Sequence, residues 1–138
     1  MEQSDFMEQQ LGIFLEILIL FQIKHFLADF PLQVDYMLFR KTSPNWDFFL
    51  PLLAHCLVHA AMTLAICLYY TPNLWWLAPV DLVIHFTMDR VKSSPKLLGR
   101  YNDLKKASYW WSLGLDQMVH HLTHIYIAYY MVKEGLNG

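Results

Sequence analysis

The sequence is poor in charge and in cysteine, and each shortage excludes a class of protein. Charged residues make up only 16% of the 138 residues, and the formal net charge is −2. An ordinary soluble domain carries about 25% charged residues, and a nucleic-acid-binding domain carries a basic patch or stripe. We therefore expect no nucleic-acid partner. Cys56 and Cys67 fall in one apolar segment, too far apart along a helix to bridge, so no structural disulfide is expected.

The N-terminal stretch also lacks the marks of a secretory signal peptide. It reads MEQSDFMEQQ, which is acidic and has neither a basic start nor a small-residue cleavage site. We therefore expect the first apolar segment to be retained. At this length the chain has room for one domain, residues 1–138.

Apolar residues are abundant, at 56% of the chain, and they are gathered into four long segments. A transmembrane helix needs about 20 predominantly apolar residues. The four segments approach that length and are separated by polar or proline-containing connections. The pattern predicts an all-α fold, a four-transmembrane-helix bundle. Its helices are expected at about 11–30, 48–70, 74–91 and 109–132.

The basic residues are concentrated on one side of this predicted bundle. The opposite side carries only Lys133, because the N-terminal tail and the 71–73 turn contain no lysine or arginine. By the positive-inside rule, the basic connections are cytoplasmic and both chain ends lie outside. We therefore predict an integral protein of the inner (cytoplasmic) membrane. The basic residues of the first and third connections are Arg40, Lys41, Lys92, Lys96, Arg100, Lys105 and Lys106.

All seven histidines lie inside the four apolar segments, and several aspartates accompany them. They recur in four-residue steps, which places each set along one face of its helix. With the predicted orientation, all four sets fall in the cytoplasmic half. Ionisable groups at such a depth are costly unless they face the bundle interior, a partner or a metal. The sets are His25/Asp29, His55/His59, Asp81/His85/Asp89 and Asp116/His120/His124.

Metal coordination explains these residue types, because a divalent ion takes imidazole nitrogen and carboxylate oxygen and can bind ligands at positions i and i+4. More than four candidates indicates a second ion, or carboxylates that orient histidine rings and move protons. We assign the proton-handling role to Asp116 and Asp89. Zinc, as one or two ions, suits the predicted ligands, which are His25, Asp29, His55, His59, His85, Asp89, His120 and His124.

Other polar residues of the segments have weaker assignments. Asp81 lies deepest and could equally be a proton-relay group. His121 is offset by one residue from His120 and is expected to point elsewhere. Glu16 and Lys24 lie off the His25 face and receive no role. An isolated intramembrane aspartate often only joins two helices by hydrogen bonds, so the metal assignment depends on the four sets occurring together.

The four polar motifs read KHFLADFPLQVDYM, LLAHCLVHA, DLVIHFTMDRVKS and LDQMVHHLTH. In this order they resemble an uncharacterised family of small integral membrane proteins of bacteria and their phages, known only as a domain of unknown function. The resemblance implies a four-span fold but no known reaction. There is a looser similarity to membrane-bound metal-dependent hydrolases. The polar positions that the family resemblance singles out are Asp29, His55, His59, His85, Asp89, Asp116 and His120.

Two main classes of function remain open. The first is a metal-dependent hydrolase, in which a bound zinc ion lowers the pKa of a water to near neutrality. Its substrate would be lipid-linked or amphipathic and enter at the cytoplasmic leaflet, where the basic 92–106 connection suits anionic headgroups. The second is a proton or divalent-cation channel or transporter subunit.

A non-catalytic, metal-stapled membrane subunit is a third alternative. The depth of the polar groups favours an enzyme, because a conduit needs polar groups along its whole length. Nearly all of them are predicted in one half of the bundle, and only Glu16 and Thr63 lie in the other. Four short helices enclose little volume, so we also expect that the protein can assemble as a homo-oligomer.

Overall fold

Five α-helices organise this computed structural model, which describes residues 3–135. Strands are missing from that described range, so the all-α class is confirmed. The end residues 1, 2 and 136–138, whose placement outside the cytoplasm the sequence predicts, lie beyond the described part. The helices are α1 (Gln3–Asp29), α2 (Asp35–Arg40), α3 (Phe49–Tyr70), α4 (Leu77–Ser93) and α5 (Ala107–Tyr130), which continues as a π-helical turn, Met131–Gly135.

Proline residues set several of the helix boundaries. Pro31 and Pro95 follow the ends of α1 and α4, where their rings prevent the helix from continuing. Pro51 and Pro79 lie in the first turns of α3 and α4. The backbone N–H groups of a first turn have no acceptor within the helix, so a proline there costs no intrahelical hydrogen bond. The short helix α2 occupies a connection in which the sequence indicated only polar and turn-forming residues.

The four long helices form a closed bundle. Helix α1 packs against α3 and α5, and α4 packs against the same two helices from the other side. The tight turn after Tyr70 brings α3 and α4 together over much of their length. The short helix α2 packs on α3. Each long helix therefore presents one face to the bundle interior.

The interior divides into an apolar part and a polar part. The apolar part lies toward the 71–74 turn and includes the fully buried Ile17 and Phe21 of α1. The polar part lies toward the connections 30–48 and 94–106, and it contains nearly all the buried histidine and aspartate residues. The other buried members of the apolar part are Cys67, Leu74, Leu77, Ile127, Ala128 and Met131.

Large apolar side chains also cover part of the outside of the bundle. Along α1, four of them recur on one face and are 50–59% exposed: Leu15, Ile19, Ile23 and Phe26. Contiguous apolar surface of this kind marks contact with a membrane or with another protein. The bundle thus carries polar groups inside one half and apolar groups outside.

Two helical segments, Gln3–Asp29 and Trp46–Tyr70, are long and apolar enough to cross a membrane. Buried core helices of soluble proteins share these two properties, so length and composition indicate only that these two segments could cross a membrane. In the described chain α4 has 17 residues, and α5 carries Asp116 and three histidines in its apolar length. Of the predicted bundle of four transmembrane helices, the structure therefore supports an all-α bundle in which two helical segments are candidate membrane spans.

Candidate metal centre

A cluster of buried polar side chains fills the half of the bundle next to the 30–48 and 94–106 connections. Every long helix contributes to it, because the four-residue steps keep each helix's polar groups on its inward face. Six of the seven histidines are buried, each at most 5% exposed. We call the buried groups, together with the half-buried Asp29, the polar cluster: His25, Asp29, His55, His59, Asp81, His85, Asp89, Asp116, His120 and His124.

Asp29, at the end of α1, links α1 to α3. Its Oδ1 atom lies 2.9 Å from Nε2 of His59 and 3.4 Å from Nε2 of His55. Its Oδ2 atom lies 3.1 Å from Nε2 of His25, one turn earlier on α1. One carboxylate therefore brings three imidazoles from two helices to a common point.

Asp89 lies on α4 and links this helix to α3 and to α5. Its Oδ2 atom lies 3.1 Å from Nε2 of His55, and its Oδ1 atom lies 3.0 Å from Nε2 of His120. The two oxygens of one carboxylate thus face imidazoles on opposite sides. Asp89 therefore connects an imidazole of α3 with an imidazole of α5.

The deep end of the cluster is built around Asp81. Its Oδ2 atom accepts hydrogen bonds from Lys24 Nζ at 2.8 Å and from Thr63 Oγ1 at 2.6 Å. Its Oδ1 atom lies 3.5 Å from Nε2 of His85 and 3.8 Å from Nε2 of His124. The expectation that Lys24 has no part in the polar groups is therefore wrong. Four methylenes carry its ammonium group around α1 into the bundle.

Four overlapping sets of three side chains could each hold a metal ion. Within each set the ligand atoms lie within 4.8 Å of one another. Ligands bonded at about 2.1 Å in a tetrahedron lie about 3.4 Å apart, close to the 3.4 Å and 3.1 Å that separate His55 from Asp29 and Asp89. The sets are His25/His59/His85, Asp29/His55/His59, Asp81/His85/His124 and His85/Asp89/His120.

These sets contain all eight of the predicted ligands, together with Asp81, for which a proton relay was an equal alternative. Their donors are imidazole nitrogens and carboxylate oxygens, which suit zinc and similar divalent ions. The buried His/Asp sets could therefore hold a divalent metal. Asp116 belongs to none of the four sets in the described chain.

The imidazole rings are held chiefly by packing against one another. His85 stacks on His120 with ring centroids 4.0 Å apart, and His59 lies 4.1 Å from His85. All six buried rings direct Nε2 into the cluster, while their Nδ1 atoms have no hydrogen-bond partner among the residues that the structure describes. Metal-bound histidines usually donate this second N–H to an acceptor. Here ring packing must replace that support.

A cavity of about 670 Å³ opens onto one end of the polar cluster. Its volume falls within the range of about 300–1,000 Å³ typical of small-molecule sites. Asp29, His55, Asp89 and Asp116 all line it, so it reaches both candidate ligands and the remaining carboxylate. The 30–48 and 94–106 connections supply much of the rest of its wall, and helix α2 contributes Leu38. The deep residue Asp81 does not line it.

Asp116 lies where the cavity meets the cluster. Its Oδ1 atom is 3.1 Å from Nε2 of His120, and its Oδ2 atom accepts a hydrogen bond of 3.1 Å from Nε2 of Gln117. The ammonium of Lys92 is 3.8 Å from the same Oδ2 atom. Asp116 is thus a buried acid beside a candidate ligand, with access to the cavity.

Sequence reasoning missed three members of this region. Gln117 Oε1 lies 3.0 Å from His25 Nε2, and Thr63 and Lys24 bind Asp81. Thr63, which the sequence placed with Glu16 in the other half of the bundle, could have been recognised, because it continues the four-residue step from His55 and His59. Lys24 carried no such signal. The half-buried His121 packs 5.0 Å from the ring of His25 and belongs to no ligand set.

Comparison with known proteins gives a family but no activity. A family model described as "Protein of unknown function (DUF3307)" matches residues 17–137, which include every member of the polar cluster. Neither the curated proteins nor the solved structures contain a match. The resemblance to an uncharacterised family is confirmed, whereas the looser similarity to membrane-bound hydrolases receives no support from these comparisons.

Proposed function

This chain belongs to that family of unknown function (DUF3307), and we propose that it is a membrane-embedded, metal-dependent hydrolase. Its substrate is lipid-linked or amphipathic and reaches the site from the cytoplasmic leaflet. The single observation that carries the proposal is that the cavity meets candidate metal ligands and a carboxylate outside the ligand sets at one place. Metal-assisted hydrolysis needs these three features together.

The residues divide naturally between binding an ion and moving a proton. Asp29, His55 and His59 would hold the ion with three protein ligands, as catalytic zinc sites do, and leave a position toward the cavity. A bound zinc ion supplies a water whose pKa is lowered to near neutrality. Asp116 accepts a proton at its carboxylate.

A second ion is supported by the position of Asp89. His85, Asp89 and His120 form another ligand set, and Asp89 Oδ2 simultaneously faces His55 of the first set. In two-metal hydrolases the ions lie about 3.5–4 Å apart, which a single bridging carboxylate can span. Asp89 would therefore join the two sets, and it is the next candidate for proton transfer if Asp116 binds metal.

In this proposal all four long helices cross the membrane, and not only the two candidate spans. The apolar outer face of α1 supports contact with lipid. Helices α4 and α5 complete the ring with α1 and α3 and hold six of the ten residues of the polar cluster, which supports the same depth for all four helices. The basic connections then face the cytoplasm. The cavity opens on that same basic side, because the 94–106 connection forms part of its wall.

The cavity walls support an anionic amphipathic substrate. Lys41 and Lys92 line the cavity and supply positive charge, while Phe30, Leu38 and Leu98 supply apolar surface. An ester or phosphoester at the headgroup of a lipid combines these two properties. The wall thus fits an anionic headgroup whose chain extends toward the bilayer.

A conduit for protons or cations is less well supported. Beyond Asp81 and Thr63 the interior is closed by Ile17, Phe21 and Cys67, and each of these is fully buried. Within the described residues this apolar layer interrupts any polar route through the bundle. The cluster is therefore open at one end only, as a catalytic site requires.

The test combines metal content with hydrolysis. Protein purified in detergent is analysed for zinc and other divalent metals, beside a His55→Ala/His59→Ala variant. Both are incubated in mixed micelles with phosphatidic acid, phosphatidylglycerol and a neutral diacylglycerol. We expect the variant to hold less metal than the wild type, and only the wild type to show hydrolysis that EDTA stops and zinc restores. A wild-type protein free of metal would reject the proposal, and metal without hydrolysis would favour a structural staple.

A further inference from the structure

Lys24 lies at the deep end of the polar cluster, away from the cavity, and only 1% of it is exposed. Its Nζ atom is 2.8 Å from Asp81 Oδ2 and 3.2 Å from His124 Nε2. A lysine so deeply buried is rare unless its charge is paired. The surroundings of this ammonium group are those of a bound cation.

We propose that the deep end has the ligands of a divalent-cation site and that the ammonium group of Lys24 occupies this site. The lysine takes the place of an ion there and confines bound metal to the ligand sets beside the cavity. The proposal rests on the metal binding proposed above and adds to it, because it decides which of the overlapping sets can be filled.

The ligand geometry of the deep end supports this proposal. Asp81, His85 and His124 form one of the four possible metal sets. Their ligand atoms are 3.4–3.8 Å apart, near the value of about 3.4 Å expected around a tetrahedral ion. By spacing alone this set is as suitable for an ion as the sets near the cavity. Its donors are also imidazole nitrogens and a carboxylate oxygen, and all three of its residues are buried.

The ammonium group engages two of the three residues that an ion would need, through His124 Nε2 and through Oδ2 of Asp81, the oxygen next to the Oδ1 atom that faces His85 and His124. Nζ donates to Asp81 Oδ2, and it lies within hydrogen-bond distance of Nε2 of His124. The nitrogen lone pair that accepts a hydrogen bond from an ammonium cannot also bind a metal. Thr63 donates to the same Asp81 oxygen and completes its surroundings. A divalent ion at this point would also be repelled by a positive charge in a poorly screened interior.

Two predicted assignments change as a consequence. His124, expected to be a metal ligand, becomes a partner of Lys24. His85, which belongs to three of the four sets, is left for the set with Asp89 and His120 next to the cavity. The lysine therefore directs metal toward the end of the cluster that substrate can reach.

The test removes the ammonium group and counts ions. In Lys24→Met the side chain stays long and unbranched but loses its charge, so Asp81 is left as a buried carboxylate without its cation. We expect this variant to bind one more equivalent of zinc per chain than the wild type, measured by elemental analysis in detergent. Its melting temperature should then fall on treatment with EDTA by more than that of the wild type.

The matched control is Lys24→Met/Asp81→Asn, which removes both charges of the pair. Replacing a whole buried ion pair is far less disruptive than leaving one charge alone. The double variant should show no additional zinc and no additional response to EDTA. If Lys24→Met binds no more zinc than the wild type, the proposal is overturned, and the same holds if the double variant gains the extra ion too.

If Lys24→Met accumulates poorly in cells, the response of its yield to zinc tests the proposal instead. Growth with added zinc should then restore its yield and leave the double variant unchanged, and a failure of zinc to restore it would overturn the proposal. The failure of the proposed hydrolase has a different signature. A wild-type protein without metal contradicts the hydrolase alone, because the gain in Lys24→Met is a difference from the wild type.

Discussion

Asp116 Oδ1 and His120 Nε2 lie 3.1 Å apart, one helical turn from each other, at the place where the cavity reaches the polar cluster. His120 belongs to a candidate ligand set with His85 and Asp89, and Asp116 belongs to none in the described chain. The pair therefore joins the part of the site that can hold an ion to an acid that is free to exchange a proton.

We expect Asp116→Asn to abolish hydrolysis without removing the metal. Asparagine has nearly the size of aspartate and still forms hydrogen bonds, but it cannot accept the proton. General acid–base catalysis typically contributes about 10²–10⁴-fold, so activity should fall by at least about 10²-fold. Elemental analysis and thermal melting should match the wild type. Metal loss in this variant would instead make Asp116 a ligand and transfer the proton-handling role to Asp89 or Asp29.

Removal of a candidate ligand should act differently. We expect His59→Ala to lose most of the bound metal, because His59 belongs to two ligand sets and its Nε2 lies 2.9 Å from Asp29. Metal-binding energy contributes to folding, so the melting temperature should fall as well. His121→Ala is the matched control, since His121 is half-buried and belongs to no set. Equal metal content in the two variants would contradict the assigned ligands.

Anionic substrates should depend on the lysines of the cavity. Lys92→Gln removes a positive charge from the wall and should lower kcat/KM for phosphatidic acid about tenfold, which corresponds to the loss of one hydrogen bond to a charged group. Its effect on a neutral lipid should be smaller. Lys96→Gln removes the same charge from an exposed residue of the adjoining 94–106 connection that does not line the cavity. Similar losses in both variants would mean that net charge alone, and not the cavity, recruits the substrate.

The orientation of the bundle can be measured directly. A reporter inserted near Ser94 should behave as cytoplasmic, and one fused after Gly138 should behave as external, because lysine and arginine are concentrated in the two connections on the Ser94 side. The reverse pattern would place the cavity opening at the outer leaflet. In that case the proposed cytoplasmic route for the substrate would have to be abandoned.

Several features of the protein follow from the sequence by itself. The long apolar segments predict the all-α class, since their length suits helices and their boundaries carry proline. The four-residue steps predict the inward faces of the helices, because side chains four residues apart lie one above the other on the same side. For this reason all eight predicted ligands fall in ligand sets in the structure. The similar depth of the four sets could also be inferred, from the distance of each to the end of its own helix.

Only the tertiary structure decided which groups meet. A periodic pattern specifies the direction of a side chain relative to its own helix, but contacts between helices depend on their order around the bundle and on their rotation. That order places Asp89 between His55 and His120. The cavity forms because the 30–48 and 94–106 connections close around one end of the ring. Lys24 reaches Asp81, 57 residues away, because its flexible side chain is long enough to leave the face from which it starts.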